Sequence, residues 1–255
     1  MTEPHYLAGN VAAWERHAAD YVAAAEKAWG AAEPYWGIFE LPERDLELLP
    51  ADMHGMRAIE LGCGTAYVSA WMTRRGADVV AVDPTPAQLE TARRLRAEHG
   101  LAFRLEERGA ESLPFRDRSF DFAISEYGAA LWADPYRWIP EAARVLKPGG
   151  RLVFLTTSTL SAMCLPDTEA EGAWTLVLKR PYFGLHALTW PDAPGETEFH
   201  LPHGKWIELF TQNGLDVLRL QEPQVPADAQ TRFPWADPAW AHRWPAEEIW
   251  TVKRP

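Results

Sequence analysis

Ala58-Ile59-Glu60-Leu61-Gly62-Cys63-Gly64-Thr65 decides the fold. A buried-strand pattern runs into a Gly-x-Gly turn and then a helical segment. Two glycines at this spacing let the backbone turn sharply and approach a ligand, while the helix start offers free N–H groups and positive dipole. Asp83, 19 residues past Gly64, closes the next apolar run. From the end of a second parallel strand, a carboxylate can accept hydrogen bonds from ribose hydroxyls.

Outward from this turn, β-rich runs occur at 57–61, 78–82, 102–106, 120–125 and 151–157. They alternate with helical segments at 65–75, 86–99 and 140–146, the second marked by Thr85 as N-cap, Pro86 and Gln88 in capping-box spacing. Such alternation predicts a parallel sheet covered by helices on both faces. After Thr157 it lapses for about 45 residues and resumes with a helix at 203–213 and strands at 215–220 and 248–253. The Pro- and Trp-rich segment 221–247 lacks helical pattern, which fits an antiparallel pairing of the last strand. Upstream, Val11, Trp14, Ala18, Val22, Ala25 and Trp29 mark one amphipathic helix with Asn10 as N-cap and Gly30 as stop.

Dinucleotide sites share the glycine turn, but their fingerprint calls for a small residue where this chain has Tyr67, favouring a smaller ligand. The net charge of -11, from 36 acidic and 25 basic residues, disfavours a polynucleotide partner. The first ten residues lack a basic and an apolar region, and no window approaches the roughly 20 apolar residues of a membrane span, so a cytoplasmic protein is expected. Two cysteines signal no disulfide framework, and His200 and His203 have no third ligand at metal spacing, so no metal is expected.

Several motifs now resemble one family. Glu60-Leu61-Gly62-Cys63-Gly64-Thr65 and Val80-Ala81-Val82-Asp83 look like motifs I and II of class I S-adenosylmethionine-dependent methyltransferases. Ala110-Glu111-Ser112-Leu113-Pro114-Phe115 with Ser119-Phe120-Asp121, then Glu141 to Gly150, resemble the "type 11" small-molecule branch. The resemblance implies a Rossmann-like, seven-stranded, mostly parallel sheet with an antiparallel last strand. It also implies S-adenosyl-L-methionine as cofactor: Gly62 and Gly64 at the methionine half, Glu60 on the amino group and Asp83 on the ribose. Pro84 and Gln88 would flank the adenosine, and Ala110 and Glu111 the adenine. The family usually carries Asp or Asn just before that Ala, where this chain has Gly109.

The expected organisation is an N-terminal helical cap and connector over 1–56 and a methyltransferase domain over 57–255, with a lid-like insertion at about 158–205. Direct transfer to an O, N or C nucleophile of a small molecule needs alignment and water exclusion more than a catalytic residue. Where a base is needed, Glu126, His186 and His203 are candidates, Glu126 being equally readable as a solvated carboxylate. Only Trp71, Trp132 and Trp138 of 13 tryptophans lie in 57–157, so substrate selection is expected in the appended segments, by Trp14 and Tyr182, together with Tyr127 and Trp132 at and after the end of the fourth strand. Aromatic walls suit an apolar or aromatic molecule or a cationic amine, although the same rings could simply fill seams. A macromolecular acceptor, or cofactor binding without methyl transfer, are the alternative readings.

Overall fold

The computed structural model describes residues 5–168 and 172–255. Seven strands form one sheet: β1 (Arg57–Leu61), β2 (Asp78–Asp83), β3 (Arg104–Glu107), β4 (Phe120–Glu126), β5 (Leu146–Thr157), β6 (Asp216–Gln221) and β7 (Glu247–Lys253). Their spatial order is β6-β7-β5-β4-β1-β2-β3. Neighbours from β5 to β3 pair in parallel, whereas β7 runs antiparallel to both β5 and β6. The last strand therefore slots in beside β5 and leaves β6 as the edge. Order reverses between β4 and β1, and the crevice outside the carboxyl ends of strands at such a switch point is where ligands bind in open α/β sheets.

Alternate residues along each strand face opposite layers. Ala58, Phe122, Val153 and Ile249 join one buried cluster, and their neighbours Ile59, Ala123, Phe154 and Trp250 join the other. Helices α1 (His5–His17), α2 (Val22–Gly30), α3 (Tyr67–Arg74), α4 (Pro86–Glu98), α5 (Pro135–Val145) and α6 (His203–Gln212) flank this sheet. No helix among the described residues is long and apolar enough to cross a membrane.

Three local expectations are corrected. The single helix from Asn10 to Trp29 is two helices with a 3-10 turn at Ala18–Tyr21 between them, and Asn10 lies inside α1 rather than capping it. Its buried side chain instead donates to the carbonyls of Trp132 (2.9 Å) and Thr197 (3.0 Å) and accepts from Thr197 N–H (2.7 Å). Thr85 stands at the N-cap of α4, but its side chain makes no capping bond, so the capping box is absent. The helix expected at 140–146 starts at Pro135, with Asp134 as its true cap accepting from Tyr136 N–H, and it carries Pro140 inside.

Between β5 and α6 lie a short helix, Thr159–Cys164, and a hairpin of Ala187–Trp190 with Ala193–Phe199. The hairpin packs on α1 so closely that a Cβ at Gly9 would sit 2.3 Å from the Gly195 carbonyl oxygen. A second small hairpin, Tyr35–Trp36 with Leu41–Pro42, carries the connector across the carboxyl end of β4.

Candidate active site

The turn after β1 is built by two glycines with different duties. Gly62 has φ +72, and a Cβ there would lie 2.3 Å from Ala129 N; one on Gly128 would lie 1.9 Å from the Gly62 oxygen. The turns leaving β1 and β4 thus touch backbone to backbone, which no side chain permits. Gly64, with φ +50, would meet nothing nearer than Gln88 Oε1 at 3.8 Å, so its side of the turn is open. Asp83 fixes this turn by accepting from Gly64 N–H (2.8 Å) and Thr85 N–H (2.8 Å). Burial raises its carboxyl pKa, and the two N–H bonds oppose that rise.

Glu60 accepts from Ser69 N–H at 2.8 Å and from the Ser69 hydroxyl. It thereby caps α3 from the preceding strand, because Ala66 occupies the N-cap and has no side chain to do so. Burial pushes the Glu60 carboxyl up to about 8, against the Ser69 bonds and with a further rise from Glu126 and Asp83. At the 109–111 loop, Glu111 Oε1 accepts from the Tyr6 hydroxyl at 2.7 Å, and that hydroxyl accepts from Asp134 N–H at 3.0 Å. A Cβ at Gly109 would lie 2.6 Å from Glu111 Oε2. The Glu111 carboxylate therefore occupies the space beside residue 109 that a side chain there would enter.

Beyond β4, two consecutive amides of the connector are held by two carboxylates. Gly37 N–H donates to Glu126 Oε1 (3.0 Å), and Ile38 N–H donates to Glu247 Oε1 (2.9 Å). The Tyr67 hydroxyl donates to Glu126 Oε2, and the Tyr127 hydroxyl to Glu247 Oε1 at 2.6 Å. Glu247 Oε2 is buried and has no partner among the described residues. Loss of solvent pushes both carboxyls up to about 7. Tyr127 holds φ +55, a conformation rare for a residue with a side chain, at the point where β4 turns toward Gly62.

One cavity of about 740 Å³ is lined by Glu60, Gly62, Gly64, Asp83, Glu111 and Glu126, among others, while Glu247 lies outside its lining. The eight residues expected to hold the cofactor all line it, and so do Glu126, Trp14, Tyr127 and Trp132. The structure does not bring the remaining three candidates there. His186 Nε2 lies 3.0 Å from Asp134 Oδ1, tying the hairpin to the cap of α5, and its ring packs on Phe199 and Tyr136. His203 Nε2 lies 2.8 Å from Glu248 Oε2, a bond that raises its pKa and joins α6 to β7. Tyr182 is exposed and packs only on neighbouring Phe183 among the aromatic rings.

Of the 13 tryptophans, only Trp14, Trp132, Trp190 and Trp235 line the cavity. Trp29, Trp36, Trp206 and Trp250 are fully buried in the layers against the sheet. Sequence reasoning missed Tyr35, Phe233 and Trp235 as cavity walls, since they sit in connectors without periodicity. Tyr67 was legible only as a bulky departure from a dinucleotide fingerprint. Among the described residues, no group of three or more His, Cys, Asp or Glu side chains is placed to hold a metal.

Residues 59–154 match the family described as a methyltransferase domain. An uncharacterised methyltransferase of Mycobacterium bovis is 42% identical over 111 residues, covering 44% of this chain and 43% of that protein. A ubiquinone biosynthesis O-methyltransferase of Cereibacter sphaeroides is 33% identical over 114 residues, 45% of this chain and 46% of that one. The chain thus spans less than half the length of either relative. An S-adenosylmethionine-dependent methyltransferase structure from Mesorhizobium loti superposes with a TM-score of 0.63 at 20% identity, covering 82% of this chain and 95% of that chain.

Proposed function

The chain carries a class I, S-adenosylmethionine-dependent methyltransferase domain, and on that premise we propose that it methylates a small molecule held in the cavity. The observation that carries this reading is the continuity of the cavity, which joins the open face of Gly64 and Asp83 to Glu126 and the rings of Tyr35 and Tyr67. One space can therefore hold a cofactor and an acceptor side by side. The donor set fits the cofactor: Glu60, Asp83 and Glu111 are buried carboxylates in no ion pair among the described residues, and the Gly64 side of the turn is free of any Cβ.

Asp83 has acceptor sites left for ribose hydroxyls, since each of its oxygens uses one bond on a backbone N–H. Glu60 would hold the amino group and Gly62 and Gly64 would border the methionine half. Ala110, with Glu111 pinned by Tyr6, would face the adenine, flanked by Pro84 and Gln88. When bound, S-adenosylmethionine supplies a methyl group already activated on a sulfonium. The chain's task is then to align an acceptor and exclude water. Trp14 on α1 and Trp190 at the end of the hairpin wall the cavity, and Asn10 locks α1 to that hairpin, so these segments would close over the acceptor. A small-molecule acceptor is supported by the acidic character of the lining, which opposes a polynucleotide.

Calorimetric titration with S-adenosylhomocysteine, repeated on Asp83→Ala, tests the cofactor half. Binding should weaken by roughly 1.5–3 kcal/mol in the variant, as for hydrogen bonds to a charged acceptor. Unchanged affinity would remove Asp83 from the site. Incubation with methyl-labelled cofactor and extract of the source cells, read by mass spectrometry, tests the transfer. Label confined to protein or RNA would replace the small-molecule reading.

A further inference from the structure

Glu126 shares with Glu60, Asp83 and Glu111 the lack of an ion pair among the described residues, and is set apart from them by lying beside the rings of Tyr35 and Tyr67. Its two oxygens accept from Gly37 N–H at 3.0 Å and from the Tyr67 hydroxyl, both neutral donors, and among the described residues it forms no ion pair. About half of the roughly four acceptor sites on a carboxylate therefore stay free. Tyr35 and Tyr67 both line the cavity, and each is packed edge-on against Trp71, with ring centroids 5.6 and 5.2 Å away. Packing thus fixes both rings. Burial, with Glu40 and Glu126 nearby, raises the Tyr35 hydroxyl to about 12, so it remains a neutral ring at working pH.

The rest of the lining has the same sign. Ten Asp and Glu side chains border the cavity against a single guanidinium, Arg232, which lies over the rings of Tyr21 and Phe233 at 4.3 and 4.8 Å. Glu40 and Asp167 are paired with Lys27 (2.6 Å) and Arg180 (2.5 Å) and burial favours the neutral form of Glu60, but the remaining carboxylates outnumber Arg232, so an entering carboxylate or phosphate meets a net negative wall. An ammonium ion meets the opposite: an unpaired anion with acceptor sites to spare, and aromatic rings that attract cations when water is excluded.

We infer that the acceptor is an amine, bound as its ammonium ion against Tyr35 and Tyr67 with its N–H groups on Glu126, which takes the proton that frees the nitrogen. This rests on the methyl-transfer reading above. In the step, a proton leaves the ammonium for the Glu126 carboxylate while the N–H electron pair stays on nitrogen. That lone pair forms the new bond to the methyl carbon, and the carbon–sulfur pair leaves with sulfur as a neutral thioether. The positive charge of the sulfonium thus ends on the methylated ammonium. A Glu126 carboxyl pushed up to about 7 is suited to receive the proton.

The test is binding to the protein saturated with S-adenosylhomocysteine, using 2-phenylethylamine, 2-phenylethanol and 3-phenylpropanoate, which share a ring and differ in head group. The amine should bind at least tenfold more tightly than either of the others. Glu126→Gln should abolish that preference while leaving S-adenosylhomocysteine affinity within about twofold. Should that variant fail to fold, Tyr35→Ala provides the second arm, expected to weaken the amine several-fold and the alcohol much less. Bound S-adenosylhomocysteine with no preference for the amine, including no binding of any probe, overturns the inference and leaves the methyl-transfer reading standing. Failure to bind S-adenosylhomocysteine overturns both.

Discussion

A Cβ on Gly37 would lie 2.2 Å from Oε1 of Glu247, so a side chain there would have to displace the buried carboxylate that Ile38 N–H and the Tyr127 hydroxyl hold. Gly37 also holds φ +73. The left-handed conformation alone costs about 1–2 kcal/mol for a residue with a side chain. Gly37→Ala should therefore lose at least that much stability in urea denaturation, with the excess reporting the contact. In a double-mutant cycle with Glu247→Ala the two losses should be less than additive. Full additivity would show that the connector is not seated on Glu247 in solution.

Glu247 gives the fold a pH dependence of defined sign. Its carboxyl is 1% exposed and raised to about 7, chiefly by burial, from an ordinary value of about 4.5. The folded state then binds more protons than the unfolded state between those limits. Stability falls as pH rises from about 4.5 through 7, by on the order of 3 kcal/mol from this group. Glu247→Gln keeps an acceptor for Ile38 N–H and Tyr127 and carries no charge. Its unfolding free energy should decline less than wild type between pH 5 and 8, and equal slopes would mean that the buried carboxyl titrates normally.

Asn10→Ala removes three hydrogen bonds that join α1 to Trp132 and Thr197 and leaves backbone groups of both without those partners. A loss of about 1–3 kcal/mol follows from the unmet, partly buried groups. Faster amide exchange should be confined to α1 and the 193–199 strand. A loss below about 0.5 kcal/mol would show that α1 is not docked on the hairpin.

Gly109→Asp should not restore a cofactor contact. Residue 109 has no left-handed φ, so the backbone tolerates a side chain, but the new Cβ would stand 2.6 Å from Glu111 Oε2 and bring a second carboxylate beside it. Displacing Glu111 from the Tyr6 hydroxyl forfeits a bond to a charged group, roughly 1.5–3 kcal/mol. S-adenosylhomocysteine affinity should be unchanged or lower. Tighter binding would mean that Glu111 yields without loss and that position 109 is simply vacant.

The sheet was legible in the sequence because its information is local. Strand β1 is observed over 57–61 as read, and β2, β4 and β7 extend by one residue or so beyond their reading, since apolar runs and turn glycines report burial directly. The glycine turn and Asp83 were legible for the same reason: each is defined by spacing along the chain. The partners of polar side chains were not. Asn10 has the composition of a cap and acts as a clamp, because which backbone groups lie within reach depends on a hairpin 187 residues away. His203 and His186 were chemically eligible bases, and tertiary packing gave their nitrogens to Glu248 and Asp134 outside the cavity. Glu126, Tyr35 and Tyr67 meet only because β4, the connector and α3 converge at the carboxyl ends of the central strands. Periodicity encodes which face of an element is buried, but a site assembled from residues 35, 67 and 126 has no period, and only the fold brings it together.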